Sequence, residues 1–100
     1  KGTIVYQAAK AAIHGLTKGF ARELGEFKIR VNAIVPGWIM TDRQIELWLT
    51  PEADKWRAEQ QSLPDRVYPI DVANLTLFLA SSDSKMITSQ FHKVDGGWME

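Results

Sequence analysis

No cysteine occurs among the 100 residues, which removes a disulfide framework, a thiolate nucleophile and a Cys-ligated zinc site. Nothing then argues for a secretory compartment, and the cytoplasm is the expected location. An excess of charge is missing too. Twelve Lys plus Arg balance twelve Asp plus Glu, giving a formal net charge of zero and a pI near 6.9. No polybasic field exists to draw in nucleic acid or an anionic membrane, and neither is expected as a partner. Long apolar runs are also lacking: the longest, residues 33–40, is too short to span a bilayer and is broken by Pro36-Gly37. The N-terminus has no signal-peptide block, and no internal repeat or low-complexity segment is found. What is present, 45% apolar and 24% charged residues, fits one domain or part of one.

The apolar pattern supplies the elements. Across residues 6–24, Ala9, Ile13, Leu16, Phe20 and Leu24 recur at intervals of three and four, which predicts a buried amphipathic helix. Ala8, Ala12, Gly15 and Gly19 form a second stripe of almost no bulk, where another backbone can approach closely. Gly25 offers the left-handed residue that commonly ends a helix. Residues 29–35 alternate Ile29, Val31, Ala33 and Val35 against Arg30, Asn32 and Ile34, and predict a largely buried strand stopped by Pro36-Gly37. Thr41 with Gln44 fits a capping box, and Thr50-Pro51 an N-cap followed by proline at the first helical position, so short helices are expected over about 42–49 and 51–62. Pro69 opens a further helix whose apolar residues cover most of its circumference, which predicts burial on both sides. Residues 91–94 form a last strand, ended by Asp95-Gly96-Gly97. Helix, strand, helices, strand is the rhythm of an α/β parallel sheet. Such a sheet needs strands on both sides and helices on both faces, so two strands point to the C-terminal half of a larger domain.

Tyr6 and Lys10 stand four apart on the first helix, and their side chains leave the same face. Free tyrosine ionises near pH 10, too high for a general base at neutral pH, and lowering that to ~7 requires about 4 kcal/mol. An ammonium roughly 4 Å away supplies about that much at an effective dielectric of 20, and the positive end of the helix adds to it. On spacing alone the pair also fits a tyrosine that caps a core and a solvated lysine.

The company of this pair narrows the reading. Tyr6-Gln7-Ala8-Ala9-Lys10-Ala11-Ala12, Gly15-Leu16-Thr17, Ala21-Arg22-Glu23-Leu24-Gly25, Ile29-Arg30-Val31-Asn32-Ala33-Ile34-Val35-Pro36-Gly37 and Val94-Asp95-Gly96-Gly97 together strongly resemble the short-chain dehydrogenase/reductase family, in the family's order. The resemblance implies the C-terminal half of a Rossmann-like doubly wound parallel sheet, with residues 1–100 forming the catalytic and substrate-lid half of one dinucleotide-binding domain. It implies an NAD- or NADP-dependent oxidoreductase of a small-molecule substrate. Tyr6 would be the catalytic acid/base, and Lys10 would lower its pKa and hydrogen-bond the nicotinamide ribose. Pro36, Gly37 and Ile39 would line the nicotinamide, and Thr41 would contact the cofactor. Each of the last four has a plainer role: Pro36-Gly37 as a strand end, Ile39 as core, Thr41 as a helix cap. No metal ligand is implied.

The family's glycine-rich phosphate loop, catalytic serine and structural asparagine precede the tyrosine, and this chain has only five residues there. Ser89 stands where the family usually has glycine ahead of the last strand. His14 and His92 match no catalytic position and are expected on a polar helix face and on the strand surface. Residues 41–69 correspond to the family's variable substrate lid, where Trp48 and Trp56 with Arg43, Gln44, Glu46, Gln60 and Gln61 suit a polyhydroxylated ring. Residues 36–44, 47–53 and 90–98 look like the sugar dehydrogenase branch, which oxidises aldoses to lactones. A 3-oxoacyl-type carbonyl reductase is the alternative. A different class is a truncated, non-catalytic piece acting in subunit assembly, since the small-residue stripe and last strand resemble surfaces through which family members form dimers and tetramers.

Overall fold

The computed structural model describes residues 3–99. Its elements in chain order are α1 (Ile4–Leu24), β1 (Ala33–Pro36), α2 (Asp42–Leu47), α3 (Pro51–Gln60), α4 (Pro69–Ala80) and β2 (Phe91–Val94), with 3-10 turns at Gly25–Phe27 and Ser82–Ser84. The two strands pair in parallel, Ala33 opposite Phe91 and Pro36 opposite Val94, so the chain is an α/β unit whose crossover carries three helices. Among the described residues no helix is long and apolar enough to cross a membrane.

Local chemistry accounts for the helix starts. Thr41 Oγ1 accepts from the Gln44 amide at 3.2 Å and Thr50 Oγ1 from the Ala53 amide at 3.1 Å, with Pro51 at the first helical position. Asp71 accepts from the Tyr68 amide at 2.7 Å and fixes the start of α4. α3 stops at Gln60 rather than running to 62. Residues 61–63 leave it to meet the chain end: Gln61 bridges Trp98, and the Ser62 and Leu63 amides donate to the carbonyls of Gly97 and Gly96. α2 likewise ends at Leu47 rather than 49, because the Trp48 and Leu49 amides both converge on the Gln44 carbonyl.

The first strand is shorter than its apolar pattern. Ladder pairing begins at Ala33 because β2 begins at Phe91, and residues 29–32 are tied mostly by side chains, beside the bond from the Ser89 amide to the Val31 carbonyl. The Val31 amide donates to Thr88 Oγ1, the Asn32 side chain spans the Ile87 carbonyl and the Gln90 amide, and Arg30 donates to the carbonyls of Ile87, Leu79 and Ser81. Gly25 is right-handed at φ −60°; the chain runs on into a 3-10 turn, and the left-handed residue that ends it is Lys28 at φ 60°.

Burial departs most from expectation. On α1 only Thr17 and Ala21 are buried, while Leu16 is 55% exposed and Ile13 and Phe20 are exposed with it. No residue of α4 is buried, and Leu77 is 73% exposed. β1 is half-buried. The cause is geometric: a sheet of two short strands covers one side of each helix at most, and the described residues place nothing against the other. The radius of gyration, 16.0 Å, exceeds the roughly 13 Å of a compact domain this long. The small-residue stripe is equally open, with nothing within 4 Å of a Cβ built at Gly15 or Gly19.

Burial instead concentrates beside α3. Arg57, 3% exposed, donates to Asp54, to Gln61 Oε1 and to the carbonyls of Pro64 and Asp65, and Gln61 Nε2 donates to the carbonyls of Leu63 and Asp65. Gln61, expected to face substrate, is consumed in this network. His14 is exposed on α1, as expected, and also stacks on Phe91 with ring centroids 3.9 Å apart and 12° between planes. His92 differs from expectation, its Nε2 buried without a hydrogen-bond partner.

Candidate active site

Parallel pairing brings the carboxyl ends of β1 and β2 to the same side, the side on which open α/β sheets bind ligands. There the two loops lock together. The Gly37 amide donates to the Val94 carbonyl at 2.9 Å, and a Cβ built on Gly37 would lie 2.6 Å from the Asp95 Cβ. The glycine is therefore dictated by the close approach of the Asp95 backbone. Asp95 turns the chain by accepting from the Gly97 amide at 2.9 Å, after which Gly96 and Gly97 adopt φ of 65° and 76°.

The N-terminal turns of α1 stand over these loops. Tyr6, Lys10, Pro36 and Gly37 line one cavity of about 310 Å³, with Val35, Trp38, Lys93, Asp95 and Trp98 completing its wall. Tyr6 is 56% exposed, and the Lys10 ammonium sits 5.1 Å from the centroid of its ring. This is a cation–π contact, worth about 0.5–1 kcal/mol at an exposed site. Lys10 also borders a narrower apolar cleft of about 120 Å³ between α1 and β1, with the His14–Phe91 stack at its edge. A larger hollow of about 660 Å³ beside Asp65, Arg66 and Tyr68 contains neither Tyr6 nor Lys10, and volume alone does not make it the candidate.

Ile39 and Thr41 lie outside the lining of the Tyr6 cavity. Ile39 bridges Val67, the Met40 amide donates to the Val67 carbonyl at 2.7 Å, and Thr41 caps α2. The lid aromatics stand apart as well: Trp48 is exposed, and Trp56 packs edge-on against Trp98. Trp38, Lys93, Asp95 and Trp98 are wall residues to which the sequence patterns gave no part in the site. The signal for the last three was the glycine pair after a second strand parallel to the first, which places its loop beside Pro36-Gly37.

Charge outside the cavity is ordered around Asp54. Hydrogen bonds from Arg66 and then Arg57 hold its carboxyl below its ordinary value, and Arg66 is raised in return by Asp54. The distances are 3.2 Å from Arg66 Nη2 and 2.9 Å from Arg57 Nε, and this group ties α3 to the segment before α4. Among the described residues no group of three His, Cys, Asp or Glu is placed to hold a metal.

A family model described as enoyl-(acyl carrier protein) reductase matches residues 1–99. The chain belongs to the short-chain dehydrogenase/reductase family. Among members of that family, it is 45% identical over 95 residues to D-xylose 1-dehydrogenase of Caulobacter vibrioides, covering 95% of this chain and 38% of that one. It is 48% identical over 92 residues to a probable galactose dehydrogenase of Rhizobium meliloti, covering 92% and 36%. In three dimensions it matches a 4-hydroxyisoleucine dehydrogenase complexed with NADH, with a TM-score of 0.85, 36% identity and coverage of 93% and 38%. The chain thus spans 38% of the length of the D-xylose dehydrogenase, and its fold is that part of the family's Rossmann-type sheet.

Proposed function

We propose that residues 1–100 form the C-terminal catalytic and lid half of one dinucleotide-binding domain, in a protein that oxidises an aldose at its anomeric carbon to a lactone with NAD or NADP. The observation that carries this reading is the cavity shared by Tyr6 and Lys10 at the carboxyl end of β1, in a chain nearly half identical to two sugar dehydrogenases. The residues present suit the nicotinamide end of such a cofactor: Val35, Pro36 and Gly37 give an apolar wall, and Lys10 gives up to three donors for ribose hydroxyls. Bound there, the nicotinamide would supply the hydride acceptor. In this proposal Ile39 and Thr41 meet the cofactor beyond the cavity wall, Thr41 through the hydroxyl proton left over after capping α2.

In this reading Tyr6 Oη takes the proton of the substrate hydroxyl as that carbon is oxidised, and returns it in the reverse direction. The ammonium of Lys10, over the ring of Tyr6, holds the ribose by its donors. A glycine-rich phosphate loop and a catalytic serine would come from sequence ahead of Tyr6. The open stripe of α1 supports a dimer or tetramer, and work in the cytoplasm, where dinucleotide pools are kept, belongs to the same proposal.

An aldose panel assayed with NAD and with NADP on the full-length protein tests the function. Lactone formation that depends on Tyr6 supports it. Reduction of 3-oxoacyl thioesters with no aldose oxidation would replace it with the carbonyl reductase reading, and absence of turnover on both would favour an assembly role.

A further inference from the structure

Two tryptophans line the Tyr6 cavity, and each is held by a side chain of the lid. Trp38 follows the Pro36-Gly37 bend, and its indole Nε1 donates to Gln44 Oε1 of α2 at 3.1 Å. Trp98 follows Gly96-Gly97, and its ring meets that of Trp56 in α3 edge to face, centroids 5.5 Å apart at 71°. Its backbone is pinned on both sides: Trp98 bridges Gln61, and the next amide, of Met99, donates to the Gln60 carbonyl at 2.7 Å. Trp56 is 51% exposed whereas Trp98 is half-buried, so Trp56 is the outer brace and Trp98 the inner wall.

An aldopyranose has a hydroxylated rim and a face of C–H bonds. A rigid indole offers that face a broad apolar surface at little loss of side-chain freedom, because its own orientation is already fixed. Resting on the sugar reading above, we propose that Trp98 is a specificity-determining residue that stacks on the ring face of the aldose, and that Trp56 is a positioning residue that holds the Trp98 indole for it. The lid then selects substrate through the walls it braces rather than by direct contact from Trp48 or Trp56.

The test compares an aldopyranose with a short acyclic secondary alcohol in the full-length enzyme. Trp98→Ala is expected to raise KM for the aldose about tenfold while kcat stays within about threefold, because ground-state stacking is what is lost. Its kcat/KM for the acyclic alcohol should fall at least about threefold less than that for the aldose. Trp56→Ala should raise the aldose KM by roughly threefold, and not further when combined with Trp98→Ala. Should Trp98→Ala fail to fold, Trp98→Phe, which keeps a flat face, is compared with Trp98→Leu, which does not; KM should rise at least about threefold more in the second. Aldose oxidation with an unchanged KM in Trp98→Ala, equal KM values in the Phe and Leu variants, or equal losses on both substrates overturns the role of Trp98 and leaves the sugar reading standing. A wild-type enzyme that oxidises no aldose overturns both.

Discussion

The ammonium of Lys10 lies over the ring of Tyr6, 5.1 Å from its centroid and one helical turn along α1. The phenol itself is more than half exposed and opens to the cavity at the strand ends. Removing only its hydroxyl should separate chemistry from binding. Tyr6→Phe in the full-length protein is expected to lower kcat by about 100-fold or more, with the Kd for the nicotinamide cofactor within about threefold of wild type. Full activity in this variant would remove Tyr6 from the mechanism.

Lys10→Met takes away the cation and keeps most of the length of the side chain. The expected result is a raised Kd for the cofactor, because the donors proposed for its ribose hydroxyls are lost. An unchanged Kd would leave Lys10 without a part in holding the cofactor.

Gly37→Ala forces a methyl group to within 2.6 Å of the Asp95 Cβ and 2.7 Å of its Cα, a contact with the backbone that no rotamer relieves. Overpacking of this kind costs about 1–3 kcal/mol, read as a lower midpoint in urea. An unchanged midpoint would mean that the two loops separate freely.

Ser89→Gly works in the opposite direction. Ser89 is held at φ 62°, with its amide donating to the Val31 carbonyl at 2.8 Å. A left-handed backbone costs a non-glycine residue roughly 1–2 kcal/mol. The glycine variant should gain about 1 kcal/mol of stability after the larger chain entropy of unfolded glycine is deducted, seen as a raised Tm with turnover unchanged.

Asp54→Asn probes the charge group behind the cavity. Because Arg66 and Arg57 hold the folded carboxyl below its ordinary value of 3.8, the folded protein binds its proton less readily than the unfolded chain. The resulting stability is fully present above the ordinary carboxylate range and disappears as pH falls through the lowered value. The variant should therefore have a lower Tm at pH 7, and the gap to wild type should narrow on acidification below about pH 4. A gap that does not change with pH would assign the loss to packing.

Much of the frame was legible in the residues. Thr41, Thr50-Pro51 and Pro69 mark helix starts because capping is local chemistry, and Phe91 with Val94 bounds a strand that the glycines then end. Tyr6 and Lys10 fall at one cavity because a spacing of four fixes a common helical face. Burial was not legible to the same degree. Periodicity shows which side of α1 is apolar, but whether Leu16 is covered depends on elements packed against it, and the described residues bring none to that side. Gln61 looks like any polar lid residue until Arg57, four positions earlier, is seen buried against it. Trp98 stands 92 positions from Tyr6, and only the parallel register of the strands carries it to the same wall.

The crossover of residues 37–90 contains the whole lid, yet its two ends are fastened at the strands by the Gly37–Val94 and Ala33–Gln90 backbone hydrogen bonds. Lengthening a closed loop costs slowly, about 0.6 kcal/mol for each doubling. The excursion can therefore change by insertion, deletion or wholesale exchange while Tyr6 and Lys10 keep their places beside the strand ends. An exchange of α2 and α3 that keeps Gln44 and Trp56 would leave Trp38 and Trp98 braced as they are now.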